Sequence, residues 1–149
     1  MQSNEGMAAL MSILFVVLGV MLAIILIGLL IQCLFIWCIN KLQDQIDDEN
    51  LMMSKGQVWL CLIPLFNYYW LFEVVSRLSE SLQREYDAHG FTSRIPDFGS
   101  GVGKIFAISW AVSFVFSPAA LVAFVCWIIY WVKIVQLKDE LAGLKGNRF

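Results

Sequence analysis

Charge is what this chain has least of. Lys and Arg number 10 and Asp and Glu 12 in 149 residues, 15% in all, where a soluble domain averages about 25%. With 60% hydrophobic residues and a mean hydropathy of +0.74, that shortage excludes a disordered tail and an ordinary soluble enzyme. A basic excess is also missing. The net charge of −2 argues against nucleic acid, which needs a basic face to neutralise phosphates. There is one histidine, His89, and no set of Cys, His and carboxylate at ligand spacing is evident around it. It reads as a solvated loop residue, with no metal site implied and bis-His haem excluded. The four cysteines, Cys33, Cys38, Cys61 and Cys126, form no C-x-x-C and read as small buried hydrophobes. Acylation is a minor alternative for Cys33 and Cys38.

A phosphate loop is missing too, although Gly99-Ser100-Gly101-Val102-Gly103-Lys104 imitates one. Phe98 stands where the first glycine belongs and Ile105 where Ser or Thr should follow the lysine. The dinucleotide spacing fails as well, because the third glycine comes one residue early. No nucleotide and no other cofactor is expected, and no catalytic set converges.

What the chain does have is long apolar runs, and a single membrane domain over 1–149 is the natural reading. Met7 to Ile39 is broken by Ser12 and Gln32 among strongly polar residues. As a helix it is roughly 50 Å long against a hydrocarbon core of about 30 Å. Ile39, Leu42 and Ile46 continue its stripe, so helix 1 is expected over about 7–48. Met1–Gly6 carries no Lys or Arg and the apolar run far exceeds a signal-peptide core, so no cleaved leader is expected. A second run, Val58 to Val75, contains Pro64 and Asn67 and leads into an apolar stripe at Leu78, Leu82 and Tyr86. Helix 2 is expected over about 57–89, with Pro64 as a kink and Gly90 as the stop. Ser117-Pro118 divides the stretch from Ile105 to Val135. This gives helix 3 over about 98–116, N-capped by Asp97, and helix 4 over about 119–141. The fold class is therefore all-α: a polytopic membrane protein with four transmembrane helices, helices 1 and 2 extending beyond the bilayer.

Four spans place eight basic residues on one face and only Lys41 and Lys55 on the other, which predicts N-in, C-in. A single long third helix divides them six to four. Locally, helix 1 has no basic residue before it and Lys41 just after it, which favours the opposite orientation; the global count decides for N-in. Trp37, Trp59, Tyr130 and Trp131 suit the two interfaces, chiefly as lipid anchors or packing.

Gly99, Gly103, Ala107 and Ala111 recur every four residues, a smooth stripe that lets helix backbones approach closely. Gly19 and Ala23 offer a shorter counterpart on helix 1. Among polar residues, Glu73 and Lys133 fall at equal depth, roughly 23 Å from one face, and can pair. The plainer readings are a structural pair, or Lys133 snorkelling with Glu73 at the aqueous margin; the functional one is a proton relay or latch. Asn67 beside Pro64 reads as satisfying loosened backbone, with a broken-helix ion site as the alternative.

Ile63-Pro64-Leu65-Phe66-Asn67-Tyr68-Tyr69-Trp70-Leu71-Phe72 resembles a motif of small uncharacterised bacterial multi-pass membrane proteins. Residues 128–134 resemble their closing helix. Some of those proteins carry an N-terminal GYF-like domain, where this chain has helix 1 instead. The resemblance covers about 54–141, supports the four-helix layout, and implies a bacterial inner membrane and a cytosolic N-terminus, but no activity. The expected function is a non-enzymatic accessory or scaffold subunit that forms a homo-oligomer or packs on a larger membrane partner. A small oligomeric channel or transporter using Asn67, Glu73 and Lys133 is the alternative.

Overall fold

A computed structural model describes residues 2–146. Its order is α1 (Gln2–Gln43), a 3-10 helix (Lys55–Leu62), α2 (Pro64–His89), α3 (Ser100–Val112) and α4 (Ala119–Gly146). Among the described residues there is no strand, so the class is all-α. Among the described residues, two helices are long and apolar enough to cross a bilayer: Gly6–Gln43 and Ala119–Gly146.

The chain divides into two units, one ending at Leu34 and one beginning at Phe35. The first is apolar helix whose large side chains between Met7 and Leu30 are 48–71% exposed. The second holds the core. Phe35, Ile36, Ile39 and Leu42 enter it from the last turns of α1. Leu71, Val74, Val75, Leu78, Leu82 and Tyr86 form the buried stripe of α2, at helical spacing. Ala123, Tyr130, Ile134, Leu137 and Leu141 come from α4.

Each of the four expected helices differs at one boundary or more. Helix α1 stops at Gln43, not near 48. Asp47-Asp48-Glu49 follows, and carboxylates beyond a helix C-terminus oppose its dipole; the Asp47 N–H turns instead to Glu85. The stretch expected as helix 2 is not continuous. Ile63 is extended (φ −80°, ψ 112°) between the 3-10 helix and α2, because a residue before proline is pushed out of the α region. Pro64 begins α2, where its missing N–H removes no bond, so it starts a helix and does not kink one. Helix α3 is 13 residues, shorter than 98–116 at both ends, and α4 runs five residues past 141.

The expected stop of helix 2 holds. Gly90 takes the left-handed conformation (φ 64°) that ends α2. The N-cap of α3 differs: it is Gly99, in the left-handed conformation, and not Asp97, although the Asp97 carboxylate still accepts from the Gly99 and Gly101 N–H groups at 3.3 and 3.2 Å.

Candidate functional site

The most polar part of the second unit is a knot of side chains around Glu85. Its place on α2 follows from the stripe: Leu78, Leu82 and Tyr86 face inward, and Glu85 shares that face one position before Tyr86. The Glu85 side chain is fully buried. A buried carboxylate is costly unless paired and hydrogen-bonded, and here it is both. Oε2 accepts from Asn50 Nδ2 at 2.7 Å and the Asp47 N–H at 3.0 Å. Oε1 meets the ammonium of Lys145, from the last turn of α4. Lys145 also donates to Asp47 Oδ1 at 2.9 Å and to the Gln45 carbonyl at 2.6 Å. One turn below, Ser81 Oγ accepts from the Met52 N–H at 2.8 Å and donates to the Arg77 carbonyl. The segment after α1, the polar half of α2 and the end of α4 are thus tied together.

Burial pushes the Glu85 carboxyl up, but the bonds from Lys145, Asn50 and Asp47 outweigh it and hold it below 4.5. The hydrogen bond from Lys145 likewise holds Asp47 below 3.8. Burial lowers Lys145, and its contacts with Glu85 and Asp47 more than reverse that, leaving it above 10.5.

His89 belongs to this knot, which corrects the reading of a solvated loop residue with no ligand set near it. It lies on the last turn of α2, with Nδ1 3.0 Å from the Glu85 carbonyl and Nε2 3.4 Å from Asp47 Oδ2. Asp47, Glu85 and His89 each offer a ligand atom within 4.8 Å of the others. The Lys145 ammonium already lies on both carboxylates, so a metal cation would have to compete with it. As built, the knot is a clasp.

The expected pairing of Glu73 with Lys133 is not formed. Glu73 bonds Arg77 Nε at 2.8 Å and the Tyr69 hydroxyl at 2.9 Å, one turn to either side. Lys133 pairs with Asp97 at 3.2 Å. Equal depth was the wrong criterion: each charge has a partner nearer to hand, and neighbours at i,i+4 need little ordering to meet. Asn67 is half-buried with its Oδ1 enclosed and without a partner; its N–H bonds the Ile63 carbonyl at 2.8 Å.

The small-residue stripe packs over half its length. A Cβ on Gly103 would lie 2.5 Å from Val75 Cγ1 and 2.8 Å from Tyr130 Cε2, and one on Gly99 3.3 Å from Tyr130. At Gly103 the backbone of α3 therefore meets α2 and α4 together. Ala107 is buried, but Ala111 is exposed. On α1, a Cβ on Gly19 would meet nothing within 4 Å and Ala23 is exposed, so among the described residues the counterpart stripe packs on nothing. Sequence reasoning missed Asp47, Glu85 and Lys145; the available signal was Glu85 at i−4 from His89, on a face the apolar stripe had already marked as inward.

Comparison with known protein families, curated proteins and solved structures finds no match.

Proposed function

We propose that this is a non-enzymatic membrane accessory or scaffold subunit, anchored by α1 and built to pack against copies of itself or a larger membrane partner. The observation that carries the reading is the first unit: from Met7 to Leu30 its large apolar side chains are about half exposed or more. Such a surface belongs in lipid or against protein. Its length exceeds what one crossing of about 30 Å needs, and the surplus is apolar area for a partner. The likeness of 63–72 to bacterial membrane proteins supports an inner-membrane location.

The clasp supports one crossing over four. Four crossings separate residues 41–57 from 77–97 by the bilayer, whereas Asp47, Asn50 and Met52 bond directly to Glu85 and Ser81. A single crossing by α1 also gathers the basic residues. All ten Lys and Arg lie at position 41 or later, which makes the face holding the second unit cytoplasmic. The local charge bias around helix 1 then agrees with the global one. The channel reading draws less support, because Glu73 and Lys133 are each neutralised by a separate neighbour.

Purification in gentle detergent, with mass determination and identification of co-purifying chains, tests the proposal. A defined oligomer or a stoichiometric membrane partner supports it; a clean monomer with no partner overturns it. Ion flux from the reconstituted protein that Glu73→Gln abolishes would also overturn it.

A further inference from the structure

The second unit carries an apolar surface of its own, and its shape points to a specific neighbour. From Ile105 to Val132 there is no charged residue. That stretch is α3, a turn and the first half of α4, folded as a hairpin whose outer side chains are exposed: Ile105, Ile108, Leu121, Val122, Val125, Ile129. Charges gather at its open end. Lys104 precedes it, and Lys133 closes it while paired with Asp97.

The length of the hairpin decides between crossing and dipping. Gly99 lies against Lys133, and Gly103 against Tyr130, so the level of Gly99 and Lys133 is a common base line. From there to the turn is 14 residues along either helix, about 21 Å. A crossing needs about 30 Å of hydrocarbon alone. The hairpin falls short by roughly 10 Å, so its turn ends inside the bilayer.

The turn is made for that place. Phe114 and Val115 are 83% and 89% exposed, which suits acyl chains and not the water beyond a far headgroup layer. Backbone polar groups in hydrocarbon must be satisfied internally, and most donors here are. The N–H groups of Ser113, Val115, Phe116, Ala119, Ala120 and Leu121 all bond carbonyls of the hairpin. Pro118 has no N–H to satisfy, and the Ser113 hydroxyl donates to the Trp110 carbonyl. The start of α2 reaches the same end. Tyr68 stacks on Trp110 and meets Phe114 edge-on, and Leu65, three residues earlier, is 88% exposed.

We propose that residues 63–72 and 105–132 form a re-entrant membrane insert: two apolar tips, at Leu65 and at Phe114–Phe116, enter the bilayer from the face that holds the clasp and return to it. The occupant of this surface is the lipid hydrocarbon core. Lys104 and Lys133 sit at the headgroup level, where anionic lipids attract them. The inference rests on the membrane reading above and assigns the second unit its own hold on the bilayer.

Single cysteines at Val115, Leu65 and Gln83 test it, in a chain whose four native cysteines are alanine, reconstituted into phosphatidylcholine–phosphatidylglycerol vesicles. A membrane-impermeant maleimide should label Q83C from one side only. It should label V115C and L65C from neither side until detergent is added, and a spin label at either tip should collide with oxygen in preference to a water-soluble nickel chelate. Labelling of V115C from the side opposite Q83C makes the hairpin a true crossing; labelling from the same side leaves it outside the bilayer. Either result overturns the insert. Should the cysteine-free chain lose its helicity, hydrogen exchange of the unaltered chain in the same vesicles replaces it. Slow exchange at 113–117 supports insertion, and exchange as fast as in residues 91–95 overturns it. Vesicle flotation separates the two levels of failure: a chain that floats yet labels at Val115 loses only the insert, and one that does not float loses the membrane reading as well.

Discussion

Helix α1 meets two different fates along one uninterrupted stretch. Up to Leu30 its large apolar residues are about half exposed or more; from Phe35 its apolar stripe is buried in a core. Apolar residue type does not separate the two parts, since Phe, Ile and Leu occur in both. Partners do. Phe35 has Trp127, Tyr130 and Trp131 around it, with centroids 5.7–6.2 Å away, whereas Phe15 is 71% exposed. Apolarity alone therefore places a segment in or near a membrane, and only shape complementarity makes it part of a fold.

The sharpest way to break that comparison is to truncate the two phenylalanines. Phe35→Ala removes a ring with 1% exposure and three aromatic neighbours, and is expected to cost about 3–5 kcal/mol of stability. Denaturant unfolding in detergent, followed by tryptophan fluorescence, reads it directly through Trp127 and Trp131. Phe15→Ala should leave the same transition unmoved. A large loss there would mean that the first unit packs on something in the monomer.

The clasp comes next. Lys145→Met leaves the Glu85 carboxylate buried without its ammonium, a change expected to cost about 3 kcal/mol. Adding Glu85→Gln to that variant should restore part of the loss, because the stranded charge is then gone. The pH dependence follows from the same contacts. Glu85 and Asp47 titrate lower folded than unfolded, so their stabilisation is complete above about 4.5 and is lost as pH falls through the lowered values. Lys145 titrates higher, so its share is complete below 10.5 and lost as pH rises through the raised value. Thermal melts across pH should therefore show a plateau between acid and alkaline falls. In Lys145→Met the alkaline fall attributable to this lysine should vanish, and a fall of unchanged size would remove the clasp from the account.

Signals that act within a turn were legible in the sequence. Gly90 ends α2 and the break at Ser117-Pro118 separates α3 from α4, because each acts on the backbone beside it. The packing role of Gly99, Gly103 and Ala107 was legible in their spacing. What was not legible depends on which distant segments meet. Lys145 and Asp47 are 98 residues apart, and no periodicity links them. The expectation that Glu73 faces Lys133 rested on equal depth along two helices, and depth does not say which neighbour a charge meets: Arg77 takes Glu73 and Asp97 takes Lys133. Pro64 starts α2 and does not kink it, a distinction the sequence does not carry, since proline at a first helical position and proline at a kink are the same letter.

The smallest expected effects concern the glycines, and they test whether the two small-residue stripes differ in kind. Gly103→Ala places a methyl 2.5 Å from Val75 Cγ1 and 2.8 Å from Tyr130. Neither neighbour can withdraw easily, because both side chains are buried and close-packed interiors resist added volume. A loss of about 1–3 kcal/mol is expected, offset slightly by the better helix propensity of alanine. Gly19→Ala meets nothing within 4 Å, so only the propensity term remains, worth at most about 1 kcal/mol in the stabilising direction. Opposite signs in paired unfolding measurements are the expected result. If Gly19→Ala instead weakens a purified oligomer while sparing the monomer, the α1 stripe is a contact between chains, and the surplus apolar length of that helix has found its partner.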